Sequence, residues 1–509
     1  MIPIDHLLNG LSVATAPHNL LYAFVGCILG TLVGVLPGLG PAAGMALLLP
    51  LTFGMEPTSA LILLAGMYYG AMYGGSTTSI LINTPGESSS VMTAIDGYQM
   101  AKKGRAGAAL AAAAIGSVIA GTFSVIALTV MAVPLARFGL RFGPAEHFAI
   151  LVFSMAAVSS LTGKSLARGI FSMVIGLVIA TVGIDLQSGM PRFTGGNVEL
   201  LDGVSFLVAA VGFFAISEVM LNIDDHLRGN ATVLAIKGRL WLTREEWRRS
   251  FMPILRGTLI GFFKGVVPGG GATISTMLSY SLERGLHKEK EKFGTGMIEG
   301  VAGPEAANNA AVGGHMVPLL ALGIPTGTTT AILLGAFIIY GIQPGPLLFD
   351  QEPGLVWGLI GSMYIGNVML FILNLPLIAI FVRVLHTPTG ILLPLILVTA
   401  SIGVYSIDYS VQDLLLTWCF GIAGYAFKKA DIPIAPLILA MVLGGKMEQS
   451  FRQAMTISGG DAQVFVSSWI SVLFLMVAAL ILVLPFVLAQ VRRRALRRAE
   501  MADVAGTAD

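Results

Sequence analysis

The sequence predicts an all-α polytopic membrane protein, and three observations carry this prediction. Only 11% of the 509 residues are charged, whereas soluble domains have about 25%. Hydrophobic residues make up 55%, and the mean hydropathy is +0.82. Apolar stretches recur from Leu20 to Leu488 and reach or approach the roughly 20 residues that a helix needs to cross a bilayer. These stretches do not alternate in polarity, as the strands of a membrane barrel do.

The apolar stretches are of two kinds. The long ones, expected to form the scaffold, are Ala106–Pro134, Phe148–Leu161, Ser165–Val182, Val204–Leu221, Leu355–Leu385, Gly390–Val404 and Val464–Gln490. The shorter ones, interrupted by Gly and Pro, are Leu20–Leu36, Ala42–Phe53, Ser59–Met72, Ala306–Leu322, Thr328–Tyr340 and Ile432–Leu443. A broken helix survives in a membrane only where its freed backbone groups face protein or water, so the shorter segments are expected inside the protein.

A glycine pattern occurs twice in the chain. Its members, each repeated after 231 residues, are Gly26 and Gly257, Gly30 and Gly261, Gly34 and Gly265, Pro37 and Pro268, Gly38 and Gly269, and Gly40 and Gly271. Glycines four residues apart form one stripe of a helix, which lets a neighbouring helix approach closely. The Pro-Gly that follows is expected to end each helix and leave backbone groups unpaired.

A second pair of related segments follows each glycine stripe. One runs from Gly74 to Gly86 and the other from Gly313 to Gly327, and each has a Gly-Gly, a short apolar stretch and a Pro next to Gly and Thr. The step is 239 residues at the Gly-Gly and 240 at the Pro, which predicts one inserted residue. Paired, interrupted segments in two halves of a membrane chain point to the binding site of a secondary transporter.

The distribution of positive charge predicts that the two halves have opposite orientations. The loop Asp96–Arg105 is basic while its counterpart Tyr340–Gly354 has no Lys or Arg, and the bias is reversed between Gly54–Pro57 and Arg284–Lys292. We therefore expect inverted-topology repeats, with re-entrant-like hairpins, the N-terminus outside and the C-terminus cytoplasmic. The expected organisation is a first repeat over 1–221, a cytoplasmic linker over 222–256, a second repeat over 257–490 and a basic, then acidic, tail over 491–509.

The predicted binding site consists of residues at the helix breaks. Unpaired amides and the positive dipole end at a helix N-terminus favour anions, and hydroxyl, amide and unwound carbonyl oxygens can ligate Na⁺. For any single Ser or Thr, a bond to a carbonyl of its own helix is an equally good interpretation. The candidate substrate-binding or cation-binding residues are Gly38, Gly40, Ser76, Thr77, Thr78, Asn83, Thr84, Pro85, Gly86, Gly269, Gly270, Gly271, Asn308, Asn309, Pro325, Thr326, Gly327 and Thr328.

Ionisable residues in apolar surroundings are candidate charge partners. Lys264 has a functional interpretation, in which it attracts an anion or pairs with Glu299 or Glu305. The alternative is a lysine near a helix end whose amine reaches water. Glu305, Asn308 and Asn309 lie on one helical face and predict a gate or cation site. A buried network that joins two helices is the alternative interpretation.

Two further polar residues receive structural interpretations. His315 has no metal-ligand partner nearby in the sequence and is interpreted as a packed, hydrogen-bonded histidine. Glu87 follows the Pro85-Gly86 break and is suited to cap a helix N-terminus. A P-loop, an HExxH motif and a GxSxG motif are absent from the sequence, which disfavours an ATP-driven pump and an intramembrane enzyme.

Six segments together resemble a known family. They are GVLPGLGP, YGGSTTSILINTPG, AIDGYQMAKKGRAGAAL, GVVPGGGATIS, EGVAGPEAANNAAVGG and LGIPTGTTTAILLGAF. The resemblance is to the large membrane subunit of the tripartite tricarboxylate transporters, the TctA family. It implies a bacterial inner-membrane protein that works with a small four-helix membrane subunit (TctB-like) and a periplasmic solute-binding protein (TctC-like). It also implies import of carboxylates such as citrate, driven by a sodium or proton gradient.

The expected function is therefore that of a secondary active transporter subunit for a small tricarboxylate or dicarboxylate. We expect no enzymatic activity, no cofactor besides the coupling ion, Na⁺ or H⁺, and no binding of nucleic acid, because the net charge is only +2. An anion channel is the main alternative. An elevator-like movement fits inverted repeats with broken helices, and a rocking movement is the other possibility.

Overall fold

The computed structural model describes residues 4–161, 165–185, 187–226, 234–236, 238–269, 271–384 and 389–484. These residues form helices and a single two-stranded antiparallel sheet, in which Gly183 pairs with Arg192. The predicted tail 491–509, Gly270 and part of the predicted linker lie outside the described residues. The described part agrees with the prediction of an all-α membrane protein.

The described residues up to 226 form ten helices and the small sheet. The helices are α1 (Ile4–Ala14), α2 (Pro17–Val35), α3 (Gly40–Leu48), α4 (Pro57–Ile82), α5 (Val91–Lys102), α6 (Ala106–Gly139), α7 (Pro144–Leu161), α8 (Leu166–Ala180), α9 (Phe206–Ala210) and α10 (Ser217–His226). The strands are β1 (Gly183–Ile184) and β2 (Pro191–Arg192). Three shorter elements are the 3-10 helices Leu49–Thr52, Ser88–Ser90 and Val198–Leu200. A π-helix, Val211–Ile216, connects α9 to α10.

The remaining described residues form eleven further helices. They are α11 (Arg244–Val266), α12 (Gly271–Leu286), α13 (Glu299–Leu322), α14 (Thr328–Ile339), α15 (Leu348–Gln351), α16 (Pro353–Asn374), α17 (Ile378–Val384), α18 (Thr389–Asp408), α19 (Val411–Lys429), α20 (Ala435–Ile457) and α21 (Trp469–Leu484). Two 3-10 helices, Lys290–Lys292 and Ala462–Val466, lie between them.

Four described helical segments are long and apolar enough to cross a membrane. They are Pro17–Val35, Ala106–Gly139, Phe206–Asp224 and Pro353–Asn374. Helices α4 and α13 differ from these because nearly every residue along their length is buried, including polar ones. A helix that is covered on all sides belongs to the core, so α4 and α13 are the central helices of the fold.

The predicted glycine stripes place helix backbones in direct contact. A Cβ on a stripe glycine of α2 would lie 2.3–2.4 Å from a carbonyl oxygen of α4, and one on α11 would lie 2.2–2.6 Å from a carbonyl oxygen of α13. No side chain fits at such distances. The facing pairs are Gly26 with Leu63, Gly30 with Met67, Gly34 with Ala71, Gly257 with Gly303, Gly261 with Ala307 and Gly265 with Ala311.

The two helix pairs correspond residue by residue, with a step of 231 between α2 and α11 and a step of 240 between α4 and α13. Gly74 packs against the carbonyl oxygen of Thr31, and Gly314 packs against that of Phe262, with a Cβ-to-oxygen distance of 2.4 Å in both cases. Gly74 therefore corresponds to Gly314. The one-residue insertion inferred from the Gly-Gly pairs is wrong, because the step of 240 holds throughout this helix.

The helix ends correspond in the same way. Both α4 and α13 end at a residue in the left-handed conformation, Asn83 at φ 57° and Gly323 at φ 70°. Both Pro-Gly turns contain left-handed glycines, which a residue with a side chain adopts only under strain. The turns lead into α3, which begins at Gly40, and α12, which begins at Gly271.

Several predicted boundaries differ from the structure. The segments Ser59–Met72 and Ala306–Leu322 are parts of the unbroken helices α4 and α13. The Gly-Gly pairs of these helices serve close packing, and the helices end only at Asn83 and Gly323. Leu355–Leu385 is divided into α16 and α17. The predicted linker 222–256 is entered by helices from both sides. Thr243 and Glu246 form the expected capping box, but α11 then continues to Val266.

Helices α4 and α13 run in opposite directions past each other. Tyr68 contacts His315, whereas Ser76, further along α4, contacts Glu305, earlier in α13. Antiparallel corresponding helices are the arrangement that inverted repeats require. The complete inverted topology, the membrane orientation and the elevator-like movement stay predictions.

We predict that Gly261→Val destabilises the fold. A Cβ at this position would lie 2.2 Å from the carbonyl oxygen of Ala307, so the two backbones must separate. Overpacking of this kind costs about 1–3 kcal/mol. The expected result is a lower thermal unfolding temperature in detergent. Gly285→Val, in α12 with open space around its Cβ, is the matched control, and equal unfolding temperatures in the two variants would contradict the prediction.

Candidate functional site

A cavity of about 600 Å³ lies where the two repeats meet. Its wall includes the turn before α3, the starts of α12 and α14, and side chains from α4 and α13. The volume falls within the range of about 300–1,000 Å³ that small-molecule sites occupy. This cavity is the candidate functional site.

Three helices begin at the cavity wall. They are α3 at Gly40, α12 at Gly271 and α14 at Thr328, and all three of these residues line the cavity. The first amides of a helix have no partner within it, and the helix dipole is positive at this end. Three such ends around one cavity create a region suited to anionic groups.

The second Pro-Gly turn is tied to the broken segment that follows α13. The amide of Gly269 donates to the carbonyl oxygen of Thr326 at 3.0 Å. The Thr330 hydroxyl oxygen accepts hydrogen bonds from the amides of Thr326 and Gly327, at 3.0 Å each. These bonds fix the start of α14 against the start of α12.

The two repeats also contact each other directly at the cavity. The hydroxyl oxygens of Ser88, from the first repeat, and Thr273, from the second, are 2.9 Å apart. Glu218 and Lys428 also line the cavity, and their opposite charges neutralise each other in an ion pair. The cavity therefore depends on residues from both halves of the chain.

The structure places only some of the sequence-predicted residues at the cavity. Those that line it are Gly38, Gly40, Gly271, Gly327 and Thr328. Gly269, Pro325 and Thr326 are buried just behind this wall, in the contact between the second Pro-Gly turn and the start of α14. Gly270 lies outside the described residues.

The residues at the end of α4 lie elsewhere. Ser76 and Thr77 line a separate small void beside α6. The Thr78 hydroxyl is 3.5 Å from the carbonyl oxygen of Gly74 in its own helix, as the structural interpretation expects, and 3.3 Å from that of Gly34 in α2. Asn83 is exposed, Thr84 and Pro85 are half-buried, and Gly86 packs against the backbone of Gly34.

Lys264 is paired with neither of the two glutamates considered for it. Its ammonium donates to the carbonyl oxygen of Gly269 at 2.8 Å and thereby supports the second Pro-Gly turn. Glu299 instead forms a two-pronged ion pair with Arg249, at 2.8 and 2.9 Å. Glu305 accepts hydrogen bonds from the Ser76 hydroxyl and the Thr93 hydroxyl. Of the interpretations considered for Lys264, the pairing with Glu299 or Glu305 is therefore wrong, because each group has a nearer partner.

The face of α13 that carries Glu305 is part of a buried polar network. The Asn308 amide donates to a carboxylate oxygen of Glu87 at 3.0 Å, and the Asn309 amide donates to the Ser117 hydroxyl at 2.6 Å. With the bonds of Glu305, this face ties α13 to α4, α5 and α6. The geometry agrees with the interpretation of a helix-joining network, and it also brings Glu87 to the cavity wall.

Sequence reasoning missed several residues of the cavity wall. Tyr68, His315, Glu87, Glu218 and Lys428 all line it. Tyr68 and His315 are far apart in the chain and carried no motif, and Glu87 was interpreted only as a cap, a position it does occupy before Ser88–Ser90. The internal repeat gives no signal for this pair either, because it aligns Tyr68 with Asn308 and His315 with Gly75.

Broken helices within a multi-pass all-α protein, arranged around a cavity at the junction of two repeats, are the construction of a membrane transport protein. The model of the tripartite tricarboxylate transporter TctA family matches residues 20–439. The chain belongs to this family, and it is accordingly a component of a tripartite transporter system.

Two relatives from Agrobacterium vitis are similar to this chain. The uncharacterized 52.8 kDa protein in the TAR-I ttuC' 3' region is 48% identical over 465 residues, which cover 91% of this chain and 92% of the relative. The uncharacterized protein in the TAR-II ttuC' 3' region is 49% identical over 208 residues, which cover 41% of this chain and 86% of the relative. No solved structure matches the chain.

We predict that Lys264→Met slows transport. The substitution keeps most of the side-chain length but removes the donor to the Gly269 carbonyl, so the second Pro-Gly turn loses a charge-assisted bond. Since such a bond contributes about 1.5–3 kcal/mol, we expect a reduction of roughly tenfold or more in the initial rate of uptake of the transported solute by membrane vesicles. Lys264→Arg, which keeps a donor, is expected to retain more activity. A Met variant as fast as wild type would contradict this role.

Proposed function

We propose that the chain is the large membrane subunit that carries a small tricarboxylate or dicarboxylate across the bacterial inner membrane. The single observation that supports this most is the cavity at which α3, α12 and α14 begin. The backbone amides at the three helix N-termini can donate hydrogen bonds to the acid in place of the water molecules that it loses on leaving solution. In this proposal the partners are a periplasmic solute-binding protein, which delivers the acid, and a small four-helix membrane subunit.

The proposed driving force is a sodium or proton gradient. Glu87 and Glu305 are buried carboxyl groups, and their side-chain hydrogen-bond donors among the described residues are neutral: Ser89 and Asn308 for Glu87, Ser76 and Thr93 for Glu305. A buried carboxylate without a positive partner is costly in a membrane interior. Binding of a proton or Na⁺ removes that cost, so these groups are suited to carry the coupling ion.

An anion channel is the alternative function. A channel needs a continuous pore and no coupled sites, whereas a carrier saturates, depends on the ion gradient and exchanges internal for external solute. Uptake of labelled citrate, succinate and tartrate into vesicles, with imposed sodium or proton gradients, separates the two. Saturable, gradient-dependent uptake with counterflow supports the carrier, and linear flux without counterflow supports the channel.

Both Pro-Gly turns are expected to be essential for transport. Gly38 and Gly269 have φ values of 83° and 94°, which a β-branched residue adopts only with strain. We expect Gly38→Val and Gly269→Val to reduce uptake at least about tenfold, given a strain of roughly 1–3 kcal/mol, while insertion into the membrane is retained. Gly285→Val serves as the control. Uptake at the wild-type rate in both turn variants would show that the conformation of these turns is not needed for transport.

Glu305→Gln tests the coupling. Gln keeps the shape of the side chain and its hydrogen-bonding capacity but carries no titratable group. We expect accumulation driven by the gradient to be lost while exchange of labelled for unlabelled acid continues. Glu291→Gln, on an exposed 3-10 helix, is the control. If Glu305→Gln accumulates the acid as wild type does, Glu305 carries no coupling ion.

A further inference from the structure

His315 and Tyr68 form a buried pair in the wall of the cavity. The Tyr68 hydroxyl oxygen and His315 Nδ1 are 2.7 Å apart, and the two rings are nearly parallel, with an angle of 3° between them. Only 3% of His315 and 1% of Tyr68 is exposed. The pair connects the two central helices, and both residues line the cavity.

The second ring nitrogen of His315 has no hydrogen-bond partner among the described residues, although it is buried. Among the described residues, His315 Nδ1 is the one hydrogen-bond partner of the Tyr68 hydroxyl, so we infer that the hydroxyl donates its proton to Nδ1. A neutral imidazole that accepts at Nδ1 carries its proton on Nε2. His315 therefore presents an unpaired N–H, and leaving such a buried donor unmet costs about 1–3 kcal/mol.

The surroundings favour an anionic acceptor for this N–H. The first turns of α12 and α14 face the same cavity with their positive ends. The other charged groups of the wall are already bonded, since Glu218 pairs with Lys428 and Glu87 accepts from Ser89 and Asn308. An N–H donor also cannot ligate a cation.

The internal repeat sets His315 apart from its counterpart. At the step of 240, His315 corresponds to Gly75 and Gly327 corresponds to Glu87. A Cβ on Gly75 would lie 2.8 Å from Cγ of Glu87, so the space that the imidazole takes in one repeat is taken by the carboxyl side chain in the other. The donor is thus present in the second repeat alone.

We propose that the Nε2–H of His315 donates a hydrogen bond to a carboxylate oxygen of the transported acid, with Tyr68 as a positioning residue that holds the proton on Nε2. This rests on the proposed function. The proposal assigns a specific contact with the anion to His315, which the sequence alone indicated to be a packed, hydrogen-bonded histidine.

The test compares transport and binding in His315→Leu, His315→Gln and Tyr68→Phe, using whichever of citrate, succinate and tartrate the wild type takes up fastest. We expect His315→Leu to raise KM roughly tenfold or more, because the acid loses a hydrogen bond to a charged group. His315→Gln, which keeps an N–H donor, is expected to recover part of the affinity. Tyr68→Phe should raise KM less than His315→Leu.

The controls separate a contact from a structural role. Tyr69→Phe, also buried in α4 but absent from the cavity wall, is expected to keep the wild-type KM. In detergent, the readout is the rise in unfolding temperature that the acid produces, which should be smaller in His315→Gln and Tyr68→Phe than in the wild type, whatever the stability of each acid-free variant. An unchanged KM in His315→Leu would overturn the proposal. If the Leu variant does not fold, an unchanged KM in both His315→Gln and Tyr68→Phe would overturn it. Wild-type protein that neither binds nor transports any of the three acids would instead overturn the proposed function and this inference with it.

Discussion

Backbone contact between helices, made possible by glycine, is the constraint on which the rest of the structure depends. The stripes of α2 and α11 bring these helices so close to α4 and α13 that a single added carbon would meet a carbonyl oxygen. In a membrane, helices gain little from the hydrophobic effect on association, so close packing and hydrogen bonds hold them. Because both helix pairs are fixed at the same positions of their glycine patterns, the two Pro-Gly turns come to one cavity.

A second layer of organisation consists of buried polar bonds between the halves. Tyr68 with His315, Ser76 with Glu305, and Glu87 with Asn308 all connect residues of the first repeat to α13. Each bond would be weak in water, but an unmet polar group in a membrane interior is expensive. Any movement that separates α4 from α13 must therefore supply new partners to these groups. In the function proposed above, the solute and the coupling ion would supply these partners, and occupancy of the site would then be linked to the movement.

Much of the fold could be predicted from the sequence because its determinants are local. The glycine stripe and the Pro-Gly of each repeat define where α2 and α11 end, and the capping box at Thr243 defines where α11 begins. The continuity of α4 and α13 could not be predicted, since Gly-Gly inside a helix looks like a break until the packed neighbour is known. The pairing of Tyr68 with His315, and the true partners of Lys264, depend on contacts between distant parts of the chain.

The exchange of side chains between corresponding positions has a consequence for how a solute lies in the cavity. The second repeat has the imidazole of His315 where the first repeat has Gly75. The first repeat has the carboxyl group of Glu87 where the second repeat has Gly327. The backbone is therefore repeated in the two halves, but the side chains that line the cavity differ between its two ends. A dicarboxylic acid with identical termini would thus meet dissimilar groups at each, and one terminus would be preferred at the imidazole. Pseudosymmetry of the scaffold and a single binding pose are in this way compatible.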